Sequence, residues 1–158
     1  MIRRAMTVIA LLVVVGGGAS SLPAQVRWGP QLSFGDNTDL GIGVRLDHPL
    51  PIFGNAPVHG AASFDWFFPD EPPGVNVTYL EFNYNAFYQF RADALTPYAG
   101  GGLVLGYASS GGNSSTDLGV NLGGGLKFRT GGRVTPFLEG RIELGAFEQF
   151  VVTGGVLF

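Results

Sequence analysis

Apolar and polar residues alternate along most of the chain with a period of two, the pattern of strands that turn one apolar face outward or inward. Val26, Trp28, Pro30, Leu32 and Phe34 form the first set, separated by Arg27, Gly29, Gln31 and Ser33. After the turn residues 35–39 the pattern resumes with Leu40, Ile42, Val44 and Leu46. A proline-rich connection over 48–57 leads to Val58, Gly60, Ala62, Phe64, Trp66 and Phe68. Beyond a polar loop at 69–74, Leu80, Phe82, Tyr84, Ala86, Tyr88 and Phe90 alternate with Glu81, Asn83, Asn85, Phe87, Gln89 and Arg91. Further runs cover Thr96 to Tyr107, Leu118 to Phe128, Phe137 to Leu144 and Phe150 to Phe158. The Gly-, Ser- and Asn-rich stretch 109–117 between two of them reads as a loop. Eight strands are predicted.

The first 24 residues read differently. Arg3 and Arg4 precede an aliphatic run from Ala5 to Val15, too short for a spanning helix, which needs about 20 apolar residues. Leu22-Pro23-Ala24 offers a small residue at a cleavage point, so residues 1–24 are expected to be a signal peptide and 25–158 the mature domain. Arg3 and Arg4 would leave with it, taking the formal net charge from −3 to −5. The 134 remaining residues give roughly 17 per strand and connection, room for the 9–11 residues a membrane-crossing strand needs. Charged residues are only 13% of the chain and show no basic excess, which speaks against nucleic acid as a partner. With no cysteine there is no disulfide, thiolate nucleophile or cysteine-ligated metal.

Parity alone does not say which face is inside. The charged residues Arg27, Arg45, Asp65, Glu81, Lys127, Arg129, Glu139, Arg141 and Glu143 share the polar face, interleaved with many of the 26 glycines. A water-exposed face gains nothing from so many glycines, which weaken a strand and cover nothing. A narrow lumen does gain, because bulky Phe67, Phe87, Tyr98 and Phe137 on that face need space opposite them. The pattern therefore predicts an eight-stranded, antiparallel, up-and-down transmembrane β-barrel, apolar toward lipid and polar within.

The chain ends on Phe158, preceded at alternate positions by Val156, Val152 and Phe150, which resembles the closing strand of bacterial outer-membrane barrels. Thr96-Pro97-Tyr98-Ala99-Gly100-Gly101-Gly102-Leu103 and Thr135-Pro136-Phe137-Leu138-Glu139-Gly140-Arg141 likewise resemble strands of small OmpA/OmpX-like barrel domains. The resemblance implies export to the outer membrane, lipids of that membrane as surroundings, and a monomer. It also implies that Phe158, Val156 and Phe150 serve as the signal read by the barrel-assembly machinery. No peptidoglycan-binding domain is expected beside the barrel.

Three sets of residues are candidates for chemistry. The first is a lumen polar cluster of Arg27, Arg45, Glu81, Lys127, Glu139, Arg141 and Glu143, expected to be ion-paired because an unpaired buried charge costs several kcal/mol. Lys127 and Glu139 are expected to lie near one another on neighbouring strands. The second is His59, Ser63 and Asp65 on one strand face. His59 and Ser63 would stand roughly 13 Å apart, against about 3 Å for a nucleophile–base hydrogen bond. No enzyme, catalytic residue or cofactor is expected. The third is the acidic residues Asp36, Asp39, Asp70, Glu71, Asp117 and Glu148, placed in loops opposite the termini, where Ca²⁺ or Mg²⁺ would find oxygen ligands but no spacing motif. Asp47 and Asp93 are assigned to turns at the terminal end, with Arg91, Arg129 and Arg133. Gly100-Gly101-Gly102 and Gly123-Gly124-Gly125 have no helix after them and read as strand glycines, not phosphate loops. The function expected is a non-enzymatic outer-membrane barrel with a salt-bridged lumen, acting in membrane structure or surface contact. A passive small-solute or ion pore and a lipid-modifying barrel enzyme are the alternatives.

Overall fold

The computed structural model describes residues 26–69, 77–145 and 148–158. The expected signal segment, and Asp70 and Glu71 of one loop, lie outside the described residues. Eight strands follow in chain order: β1 (Arg27–Gly35), β2 (Asp39–Pro49), β3 (Val58–Phe68), β4 (Val77–Gln89), β5 (Leu95–Ser110), β6 (Asn113–Phe128), β7 (Thr135–Leu144) and β8 (Gln149–Leu157). Each pairs antiparallel with the next, and β1 pairs with β8, Gln31 opposite Gly155, so the sheet closes into a barrel. Both described chain ends lie at one rim, called here the terminal end; the other is the far end.

Alternation sets the two faces along nearly every strand. In β1, Trp28, Pro30, Leu32 and Phe34 are exposed while Gly29, Gln31, Ser33 and Gly35 are buried. The outer wall carries Leu32, Ile42, Leu103, Leu122 and Ile142, all about half exposed. Outward aromatic rings ring both rims: Trp28, Tyr88, Phe90, Phe128 and Phe158 at the terminal end, Phe34, Trp66, Phe68, Tyr107 and Phe150 at the far end. An apolar band flanked by aromatic girdles is what a bilayer with two water interfaces selects.

Inside, bulk is matched by its absence. Phe67, Phe87, Tyr98 and Phe137 are all buried. Phe137 faces Gly155 on β8, where a Cβ would come within 2.7 Å of the ring. Tyr98 faces Gly125, where a Cβ would lie 2.6 Å from the phenol oxygen.

Two boundaries differ from the sequence reading. The stretch 109–117 is not a loop: β5 runs to Ser110 and β6 starts at Asn113, leaving Gly111 and Gly112 as the whole turn. Both glycines have positive φ (56° and 87°), the backbone that a tight hairpin of matching twist demands. Polar residues on both faces hide such strands, because alternation there has no contrast. Asp117 accordingly sits within β6 opposite Gly106. At the other rim β2 continues through Asp47 and His48 to Pro49 before a 3-10 turn at Pro51–Phe53, so Asp47 is a lumen residue and not a turn residue.

Candidate functional site

The lumen holds two layers of buried charge. In the terminal half, β2 supplies Arg45 and Asp47 on one face, two residues apart. Arg45 Nε donates to Asp47 Oδ1 at 2.6 Å, and Arg45 Nη1 to Glu139 Oε2 on β7 at 2.5 Å. Lys127 Nζ of β6 reaches across to Asp47 Oδ2 at 2.5 Å. Tyr98 donates its hydroxyl to Glu139 Oε2 at 3.0 Å. Two cations thus meet two carboxylates. Arg45 Nη2 has no hydrogen bond, and aromatic rings surround the guanidinium. Its Cζ lies 4.7 Å from the Phe137 ring centre, 5.6 Å from Phe87 and 5.7 Å from Tyr98. Cation–π attraction strengthens where water is excluded, to about 2 kcal/mol. Phe87 and Tyr98 also meet edge to face at 5.0 Å, so this layer forms a septum of rings around one cation.

The far half is built on other terms. Arg141 Nε donates to Glu143 Oε1 at 2.6 Å and Nη2 to Glu81 Oε2 at 2.9 Å. Asp65 lies 4.0 Å from the same Nη2. One guanidinium therefore serves three carboxylates, each no more than 1% exposed. Neutral donors supply the rest. Gln31 Nε2 donates to both oxygens of Asp65 at 2.8 and 2.9 Å, and Ser33 adds a third bond at 2.9 Å. Gln149 Nε2 bridges Glu81 Oε1 and Glu143 Oε2 at 2.6 and 2.8 Å, and Tyr79 donates to Glu81 at 2.8 Å. Asn121 donates to Asn83 and Asn85 at 2.7 and 3.2 Å, filling the space between the layers with amides.

The residues singled out from sequence are thus dispersed over two networks. Arg45, Lys127 and Glu139 fall in the terminal layer, Glu81, Arg141 and Glu143 in the far one. Arg27 joins neither: its Nη1 donates to Thr135 Oγ1 at 2.5 Å on the terminal rim. Lys127 and Glu139 are neighbours in this layer, as expected, two positions apart in the β6–β7 register, and the direct ion pair of Lys127 is with Asp47. Asp47, Asp65, Gln31, Gln149 and Tyr98 were not picked out for the cluster, although all share the inward parity of the charges beside them. That parity was the available signal.

Ser63 donates to Asp65 at 3.4 Å, and His59 stands at the terminal start of β3, so these three form no nucleophile–base pair. His48 turns instead to the outer wall, its Nε2 3.1 Å from the Tyr84 hydroxyl. Among the described residues no group of three His, Asp or Glu side chains is placed to hold a metal ion. Asp36 Oδ1 accepts from the Phe150 N–H at 3.0 Å, capping the far rim. Phe150, Val156 and Phe158 all project from the outer wall of the closing strand.

An apolar band outside and a hydrogen-bonded ionic interior, in a closed eight-stranded sheet, define a transmembrane β-barrel. Solved structures place it among the small outer-membrane barrels by fold. The N-terminal β-barrel domain of OprF from Pseudomonas aeruginosa superposes with a TM-score of 0.65 at 18% identity, over 85% of this chain and 98% of that domain. Ail, the attachment invasion locus protein of Yersinia pestis, gives 0.58 at 18% identity, over 84% of this chain and 93% of that one. Neisserial surface protein A gives 0.55 at 17% identity, over 84% and 91%. No family model matches the chain, and no curated protein matches it either.

Proposed function

We propose that this protein is an integral barrel of the bacterial outer membrane, exported by its N-terminal segment, with a plugged lumen and no catalytic role. It acts in membrane structure or in contact at the cell surface. The observation that carries this reading is the septum in which Arg45 is held by Asp47 and Glu139 and packed among Phe87, Tyr98 and Phe137. Buried ion pairs tied to several strands are costly to open, since separating one leaves an uncompensated charge worth about 3–5 kcal/mol. A passive pore needs a continuous water path through that layer. Two proteins of similar fold are described as an attachment invasion locus protein and a surface protein, which favours surface contact. On the closing strand, Phe150, Val156 and Phe158 are the contacts we assign to the assembly machinery.

The test is electrical. Purified barrel, confirmed as folded by its faster migration on unboiled gels, is inserted into planar bilayers. We expect no steady single-channel conductance. A stable open channel in the unmodified protein would overturn the plugged-lumen reading in favour of a pore.

A further inference from the structure

The outer wall is not evenly filled. A hollow of about 560 Å³ lies on it across β8, β1, β2 and β3, lined chiefly by Pro30, Leu32, Phe64, Trp66, Gly154 and Val156. The register puts Gly154, Leu32 and Trp66 in one row around the barrel. Val156, Pro30 and Phe64 form the next row toward the terminal end. The hollow therefore lies within the lipid band, with Trp66 of the far girdle at its edge.

Gly154 opens it. Inward glycines yield their space to the barrel itself: a Cβ at Gly155 would lie 2.6 Å from the Pro30 carbonyl oxygen. At Gly154 a Cβ would meet nothing nearer than 3.9 Å. Glycine weakens a strand interior and marks places where a ligand comes close, so the space here serves something outside the chain.

Shape limits the occupant. The volume is that of a pocket for one small molecule, about 300–1,000 Å³. Phe34, Leu40 and Phe68 project from the row above, each about half exposed. A second barrel or a helix would rest on such projections and leave the hollow empty. A single acyl chain is thin and flexible enough to fill it.

The rim above adds a preference for the headgroup. Asp36 and Glu148 are exposed just beyond the far ends of β1 and β8, the strands that carry Leu32 and Gly154. The Phe150 N–H donates to Asp36 Oδ1 at 3.0 Å, which fixes that carboxylate over the seam between the two strands. Asp36 stands about 13 Å above Leu32, the rise of four strand residues and within reach of one lipid. Every exposed Lys, Arg or His among the described residues lies toward the terminal end.

We propose that this hollow binds one membrane lipid, its acyl chain along Gly154 and Leu32 and an ammonium-bearing headgroup beside Asp36 and Glu148. A headgroup of net negative charge is repelled there. The inference needs the barrel to lie in a bilayer, and it is independent of whether the lumen conducts.

The experiment reads tryptophan fluorescence of the whole barrel in vesicles. Trp28→Phe leaves Trp66, at the edge of the hollow, as the only tryptophan. A second variant, Tyr107→Trp with both native tryptophans changed to Phe, reports from the same girdle on another part of the wall. The vesicles hold phosphatidylethanolamine and phosphatidylglycerol in equal parts, and one of the two is brominated on its chains so that it quenches nearby tryptophan. Brominated phosphatidylethanolamine should quench Trp66 about twofold more than brominated phosphatidylglycerol, the scale of a surface ion pair. The Tyr107→Trp reporter should be quenched equally by both. Gly154→Leu, which fills the hollow, should bring Trp66 to equal quenching while the barrel still migrates as folded. Asp36→Asn with Glu148→Gln, which keeps an acceptor for the Phe150 N–H, should do the same. Equal quenching of Trp66 before these changes, the same preference at the Tyr107→Trp reporter, or a preference that survives Gly154→Leu would each overturn the proposal. Conductance tests the plugged lumen separately, so the two readings fail by different measurements.

Discussion

The two halves of the lumen solve one problem in different ways. Near the terminal rim, two cations face two carboxylates, and the part of Arg45 that finds no acceptor is covered by rings. Toward the far rim, three carboxylates share one guanidinium and are otherwise held by uncharged Gln31, Ser33, Tyr79 and Gln149. The first layer is stabilised by matching charge with charge. The second is stabilised by neutral donors arrayed around carboxyl groups that outnumber their cation. The amides and hydroxyls of a small barrel lumen are therefore part of its ionic structure, and counting charges alone misjudges how well it is satisfied.

This contrast is broken most severely at Arg141. Arg141→Ala leaves Asp65, Glu81 and Glu143 without any cation, so the loss should reach or exceed the upper end of about 3–5 kcal/mol. Urea unfolding in detergent or bilayers reads it, and the loss should shrink on acidification, since protons then neutralise the stranded carboxylates. Glu139→Ala should cost less, nearer the lower end of about 3–5 kcal/mol, because Arg45 keeps Asp47 and its rings. Equal losses in the two variants would contradict the division into two layers. Gln149→Leu sharpens the comparison at smaller scale. It preserves volume but removes the donor bridging Glu81 and Glu143, and should cost about 1–3 kcal/mol in the same assay.

Most of the fold was legible because lipid and lumen demand opposite residues at successive positions. Leu122 and Asn121, or Ile142 and Arg141, declare their faces without any knowledge of partners. Bulky lumen residues set among glycines were legible for the same reason. The hairpin at Gly111 and Gly112 was not, because Ser109 to Asp117 offers polar residues to both faces above the lipid band. Partner choice across the lumen was equally hidden. Lys127 and Glu139 lie in one layer on adjacent strands, as expected, yet the direct partner of Lys127 is Asp47, far away in the chain. Asp47 itself was obscured by the prolines that follow it, which suggested that the strand had already ended.

The two-glycine turn at the tip of the long hairpin has a practical use. A Cβ at Gly111 or Gly112 would meet no atom within 4 Å, and neither residue packs on the barrel. The flanking Ser110 and Asn113 are paired across the ladder, so their Cα atoms stand about 5.5 Å apart. A guest sequence whose own ends lie that close, such as a hairpin epitope, can replace the turn with the strands below it unchanged. The barrel would then carry that guest above the membrane as a rigid display scaffold, fused at both ends instead of hanging from a flexible tether.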